Sequence, residues 1–173
     1  MKRVLYLTLV FGLVPIQTTV LAHSSIGGIR PDLCLVAASL VGLFAGELEG
    51  LLLGLALGFV QDLFSAGDLW LNVVTKGSVG LLAGMAGRYV AYATTITVLA
   101  AVMGLSLFSG TVFLLTVGPR GLAEGFFAVR SVLLPQALWD AVLAAGIYWL
   151  LTEHFRRKQA ILEGSAGLGS LIR

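Results

Sequence analysis

The chain has 173 residues, of which 58% are hydrophobic and 12% charged, where a soluble globular domain carries about 25% charged residues. That balance excludes an ordinary soluble domain. The 11 Lys and Arg against 9 Asp and Glu are scattered rather than gathered into a stripe, so the footprint of a nucleic-acid binder is missing and no nucleic acid is expected as a partner. Cys34, the single cysteine, cannot close an intrachain disulfide, and His23 and His154 stand too far apart in sequence for local metal-ligand spacing. Neither a metal nor a cofactor is expected.

A helix that crosses a bilayer needs about 20 mostly apolar residues, so this length leaves room for about six spans and no sizeable extramembrane domain. Apolar stretches run through 4–22, 33–45, 51–64, 69–87, 95–117 and 132–151, each too continuous for an amphipathic surface helix. The expected fold is all-α: a polytopic bundle of about six transmembrane helices in one integral-membrane domain, 1–158, with a flexible cytoplasmic tail, 159–173.

In the first stretch, Lys2-Arg3, an apolar core and Val20-Leu21-Ala22 before His23 resemble a cleavable secretory signal, but the apolar run has the length of a span rather than of a signal core. Between the second and third, Gly46-Glu47-Leu48-Glu49-Gly50 interrupts a 32-residue run, 33–64, which as one helix would be ~48 Å long against a ~30 Å hydrocarbon core. A hairpin with its turn at Glu47 and Glu49 is expected there. Between the fifth and sixth, the segment from Pro119 to Arg130 mixes Phe126 and Phe127 with Glu124 and Arg130, which suits either an interfacial element or a plain loop.

Positive charges test the span count, since Lys and Arg in short loops accumulate on the cytoplasmic side. With six spans and an internal N-terminus, Lys2, Arg3, Arg88, Arg156, Arg157, Lys158 and Arg173 lie inside, and Arg30, Arg120 and Arg130 outside. Merging the second and third spans would export Arg88 and the 156–158 cluster, reversing the bias. Both termini are therefore expected in the cytoplasm.

Gly42, Gly46, Gly50, Gly54 and Gly58 recur every four residues, and Gly77, Gly80, Gly84 and Gly87 every three or four. In lipid, where burying Leu against Leu gains nothing, small residues let helices approach closely. Gly50, Gly54, Gly58, Gly77, Gly80 and Gly84 thus form candidate helix-packing faces, either between neighbouring spans or as a groove for another protein's transmembrane helix.

Polar residues within the apolar runs are few, and each costs roughly 2.5–3.5 kcal/mol at a helix centre if charged. Asp62, Asn72, Lys76 and Asp140 form the candidate buried cluster: Asn72 and Lys76 share a helix face, and Lys76 needs an anion that Asp62 or Asp140 is expected to supply. The cluster reads as an ion pair that orders the bundle, as a ligand or partner site, or as a Lys76 that snorkels to an interface. Two carboxylates could also share a proton as an acid/base dyad, but no Ser/His, Cys/His or phosphate-cradling motif accompanies them. No catalytic residue and no enzyme activity are expected.

The stretch from Arg30 to Arg88 resembles the rod shape-determining protein MreD family. The likeness rests on Arg30-Pro31-Asp32 opening the second span and on the glycine-spaced run that ends Gly54-Leu55-Ala56-Leu57-Gly58-Phe59-Val60-Gln61-Asp62-Leu63-Phe64-Ser65. Leu69 and Asn72 at the start of the fourth span, and Gly80 and Gly84 before Arg88, extend it. Where the family often has Pro-Leu-Gly, this chain has Asp68-Leu69-Trp70. The resemblance implies a six-helix, non-enzymatic component of the bacterial inner membrane, within the cell-elongation machinery that builds peptidoglycan. It implies as partners an MreC-like protein, MreB, RodA and a class B penicillin-binding transpeptidase. The family's helical arrangement is similar to that of transporter substrate-capture subunits, so the alternative is a vitamin-capture subunit of an ATP-driven importer. The aromatics that could build its pocket, Trp70, Tyr89, Tyr92, Trp139, Tyr148 and Trp149, sit mostly near predicted span ends, where aromatic belts explain them.

Overall fold

The computed structural model describes residues 2–23, 30–64, 70–89, 94–118 and 121–170. The connection 65–68, Leu69, Tyr92, Pro119, Arg120 and Arg173 lie outside the described residues, as do the side chains of Lys2, Arg3, Tyr89, Arg156, Arg157 and Lys158. Every described element is helical: α1 (Lys2–His23), α2 (Leu33–Ala45), α3 (Glu47–Phe64), α4 (Leu71–Tyr89), α5 (Thr95–Val117), α6 (Leu122–Ala128) and α7 (Leu134–Ser170). A five-residue π-helical stretch, Val129–Leu133, joins α6 to α7, so the segment expected as a loop or interfacial element is largely helix. α7 extends to Ser170, through most of the segment read as a tail.

The break between α2 and α3 is a single residue, Gly46, rather than a turn at Glu47 and Glu49. Its φ of +110° is open to glycine and costly for residues with a Cβ. Glu47 and Glu49 instead occupy the first turn of α3, where carboxylates complement the positive helix end.

α2 is the central helix, packed against α1, α3, α4, α5 and α7. On one side Cys34 joins Val10 and Val14 of α1 and Leu53 and Leu57 of α3. On the other, Leu35 and Val36 join Val79 of α4, Val98 and Val102 of α5 and Ala144 of α7.

α3 and α4 form an antiparallel hairpin whose glycine stripes face each other. A Cβ on Gly50 would strike the Gly80 carbonyl, one on Gly54 the Lys76 carbonyl, one on Gly58 the Asn72 carbonyl, and one on Gly84 the backbone of Glu47. Gly77 admits Leu55, and Gly42 of α2 reaches the backbone of Gly80. These contacts fill the stripes from within the chain, which closes them to an incoming helix.

Two helical stretches among the described residues, Thr95–Thr116 and Ala123–His154, are long and apolar enough to cross a membrane. Of the others, α2 has 13 residues, α3 carries Glu47, Glu49 and Asp62, and in α4 the polar Asn72, Lys76 and Arg88 lower the mean hydropathy.

Candidate functional site

A cavity of about 900 Å3 opens where the N-termini of α2 and α4 meet the C-terminal parts of α1, α3 and α5 and the α6–α7 junction. Every helix but α6 sends a polar group to it, α2 through its cap residue: Gln17, Asp32, Gln61, Asn72 with Thr75 and Lys76, Ser106 with Ser109, and Gln136.

Its floor is built around Lys76, which is 1% exposed. The ammonium lies 2.9 Å from Asp32 Oδ2 and donates a 2.8 Å hydrogen bond to Asn72 Oδ1 one turn earlier. Asp32 also caps α2. Its Oδ1 accepts from the Leu35 N–H at 3.0 Å and from Gln17 Nε2 at 3.2 Å, while Gln17 Oε1 accepts from the Cys34 N–H at 3.1 Å. A carboxylate that accepts several N–H bonds beside an ammonium compensates its own desolvation, the condition for a buried charge to persist.

Asp140 reaches the same point from α7. It is fully buried, accepts the Asp32 N–H at 2.7 Å, and accepts the Ser106 hydroxyl at 2.6 Å. Asp32 thereby ties α1, α2, α4 and α7 together.

Asp62 does different work. Its carboxylate accepts the backbone N–H groups of Trp70 (3.0 Å), Val73 (3.1 Å) and Asn72 (3.3 Å), and the Asn72 side-chain amide at 2.7 Å. These are unpaired donors at the start of α4, and Asp62 caps them from the neighbouring helix. It also holds Trp70 at φ +87°, a region glycine enters freely and bulky residues rarely adopt. Trp70 occupies the position where the sequence departs from the Pro-Leu-Gly pattern.

Of the four expected cluster residues, Asn72 touches both Asp62 and Lys76, while Asp140 joins through Asp32. The expected ion pair of Lys76 with Asp62 or Asp140 is corrected: its partner is Asp32. Asp32, 44 positions earlier in the chain, gave one signal, a cap position behind Pro31, and that signal speaks of helix initiation rather than pairing. Gln17 and Ser106 gave none.

At the far end of the hairpin, Arg88 Nε lies 2.6 Å from Glu47 Oε1. Arg88 and the Gly46 break thus sit opposite the end that bears Arg30 and the cavity.

No group of three or more His, Cys, Asp or Glu among the described residues is arranged to hold a metal ion. The polar groups that line the cavity can bind and orient, and among the hydrogen bonds described one hydroxyl, that of Ser106, donates to a carboxylate, that of Asp140.

The family described as rod shape-determining protein MreD matches residues 1–159 of the chain. No curated protein and no solved structure matches significantly.

Proposed function

The chain belongs to the rod shape-determining protein MreD family, and from that membership we propose that it is a non-enzymatic inner-membrane adaptor of the bacterial cell-elongation machinery. Its six spans are α1 to α5 and the α6–α7 helix, with both termini cytoplasmic. Its partners are an MreC-like protein and the RodA–class B transpeptidase pair, with MreB on the cytoplasmic side.

The observation that carries this reading is an inverted distribution of polarity. Lys76, Asp62, Asp140, Thr75 and Ser106 are buried, while Phe11, Leu48, Leu52, Phe59, Leu63, Leu115, Leu138 and Leu151 are exposed. In water, so much exposed apolar surface would be an aggregation liability. In a bilayer it is the lipid-facing surface, and ionisable groups belong in the bundle interior. The placement of Arg88 at one end and Arg30 at the other supports the alternation of spans inferred from the charges. With nearly all residues committed to spans, the remaining loops are too short for a catalytic domain.

Adaptor action requires exposed surface. The glycine stripes are occupied internally, so partner helices would meet the bulky outer faces. The test is affinity capture of the tagged chain from membranes in mild detergent: an MreC-like protein should be recovered with it, and depletion of the chain should turn rods into rounded cells. Rod shape retained after depletion, with no such protein recovered, contradicts the proposal.

The cavity favours one second reading, a vitamin-capture subunit of an ATP-driven importer. That reading requires tight binding of a vitamin by the purified chain and recovery of an ATPase pair. The exposed positions of Trp70, Trp139 and Trp149, away from the cavity lining, weigh against it.

A further inference from the structure

The cavity is more than the ion pair at its floor. Its volume of about 900 Å3 is at the upper end of the roughly 300–1,000 Å3 typical of small-molecule sites, and its wall changes character with height. At the bottom, hydrogen-bonding capacity is left over. Lys76 has three N–H donors, and Asp32 and Asn72 take two of them. Ser106 donates to Asp140 and keeps its lone pairs. Gln61 Oε1 is buried without a hydrogen-bond partner, a state that native proteins rarely tolerate unless something else fills the site. The floor therefore presents both donors and acceptors, and because Lys76 is neutralised by Asp32 it offers little attraction to a bare ion.

Higher up, the lining is apolar on the α5 and α6–α7 side: Phe113, Leu114, Val132 and Leu133. Phe64, Phe113 and Val132 are exposed as well as lining, so the cavity opens sideways onto the surface that faces lipid in the six-span reading. Arg30 stands exposed at its rim. Lys76 is five residues past the start of α4, ~8 Å along the helix from its first residue.

A polar floor, a cationic rim and an apolar side exit match one kind of molecule. We propose that this cavity binds the headgroup of an anionic, hydroxyl-bearing lipid of the outer leaflet. Its phosphate meets Arg30, its hydroxyls meet Lys76, Ser106 and Gln61, and its acyl chains leave past Phe113 and Val132. The proposal rests on the membrane-spanning reading above and adds a ligand site to it.

The probe is phosphatidylglycerol, compared with phosphatidylcholine of the same acyl chains and with glycerol 3-phosphate, each added to the purified, delipidated full chain and followed by native mass spectrometry. One phosphatidylglycerol should be retained per chain, with phosphatidylcholine at least about tenfold weaker because its headgroup carries no hydroxyl and cancels the phosphate charge. Arg30→Ala, at an exposed position that does not endanger folding, should weaken retention about tenfold. Ser109→Phe, which fills the cavity from its α5 wall, should abolish it. Glycerol 3-phosphate binding as tightly as the lipid, with the same sensitivity to Arg30→Ala, would support the headgroup chemistry and move its source to a soluble polyol phosphate. Retention of phosphatidylcholine equal to phosphatidylglycerol, an adduct indifferent to both substitutions, or no adduct at all overturns the proposal. A wrong span order would instead appear in reporter fusions after Arg88 and Lys158, which lipid retention does not read.

Discussion

Replacing Lys76 by Met removes a charge that is almost wholly enclosed. Met matches the length of the lysine stem and leaves little void, so the effect isolates the loss of the ammonium. Asp32 keeps its Leu35 and Gln17 donors but loses the cation at its other oxygen, and Asn72 Oδ1 loses its donor. Breaking a buried pair from one side typically costs about 3–5 kcal/mol, because the remaining charge stays buried. Asp32→Asn should be comparably harmful, since it strands the ammonium. The double variant Lys76→Met with Asp32→Asn leaves neither partner of the pair stranded and should recover at least half of the loss, as replacing both partners is far less costly than removing one. The assay is a double-mutant cycle on the chain purified in detergent, read by reversible denaturant unfolding and checked by thermal midpoint. A coupling near zero, or single variants indistinguishable from the parent, would refute the Lys76–Asp32 account. Asp62→Asn provides the control: it should lower stability by about 1–2 kcal/mol through the α4 cap and couple only weakly to Lys76→Met, through Asn72 alone.

Gly54→Leu or Gly80→Leu should prevent folding, because the first added carbon already meets backbone of the opposite helix; insertion yield and monodispersity report it, and a well-folded variant would contradict the packing. Gly104→Ala, where nothing lies within 4 Å of the added carbon, should raise stability by roughly 0.5–1 kcal/mol, measured in the same unfolding assay. Trp70→Gly should also stabilise, by about 1 kcal/mol, since it relieves the positive φ at the cost of a largely exposed side chain; a clear loss of stability would assign Trp70 a packing role instead. Ser106→Ala should cost about 1 kcal/mol by leaving Asp140 Oδ2 without its buried hydroxyl donor.

Hydropathy and glycine spacing are enough to place α2, α3, α4 and α5 in the sequence, because helices in an apolar setting are long runs with punctuation, and the punctuation here is Gly46, Gly118 and the polar residues Ser65, Asp68, Arg88 and Thr94. The sequence points to a turn at Glu47 and Glu49 because they are the visible polar residues, whereas the positive φ at Gly46 needs only the glycine. The helical character of 122–131 is hidden by Phe126 and Phe127 beside charges, a pattern shared by interfacial helices and loops. For the site, Lys76, Asn72, Asp62 and Asp140 stood out because each is expensive in an apolar run. Their pairing did not, since it depends on α2 being central. That arrangement brings Asp32 beside Lys76 and leaves Asp62 to cap α4, a division that spacing along the chain does not encode. The glycine stripes carried two meanings in the sequence, internal and external, and only the facing carbonyls of Gly50 and Gly80 distinguish them.

A six-span bundle with its polar cluster and cavity towards the periplasm should give cytoplasmic signals from compartment-reporter fusions after Arg88 and after Lys158, and a periplasmic signal from one after Gly118. A periplasmic signal at Arg88 or Lys158 would contradict it.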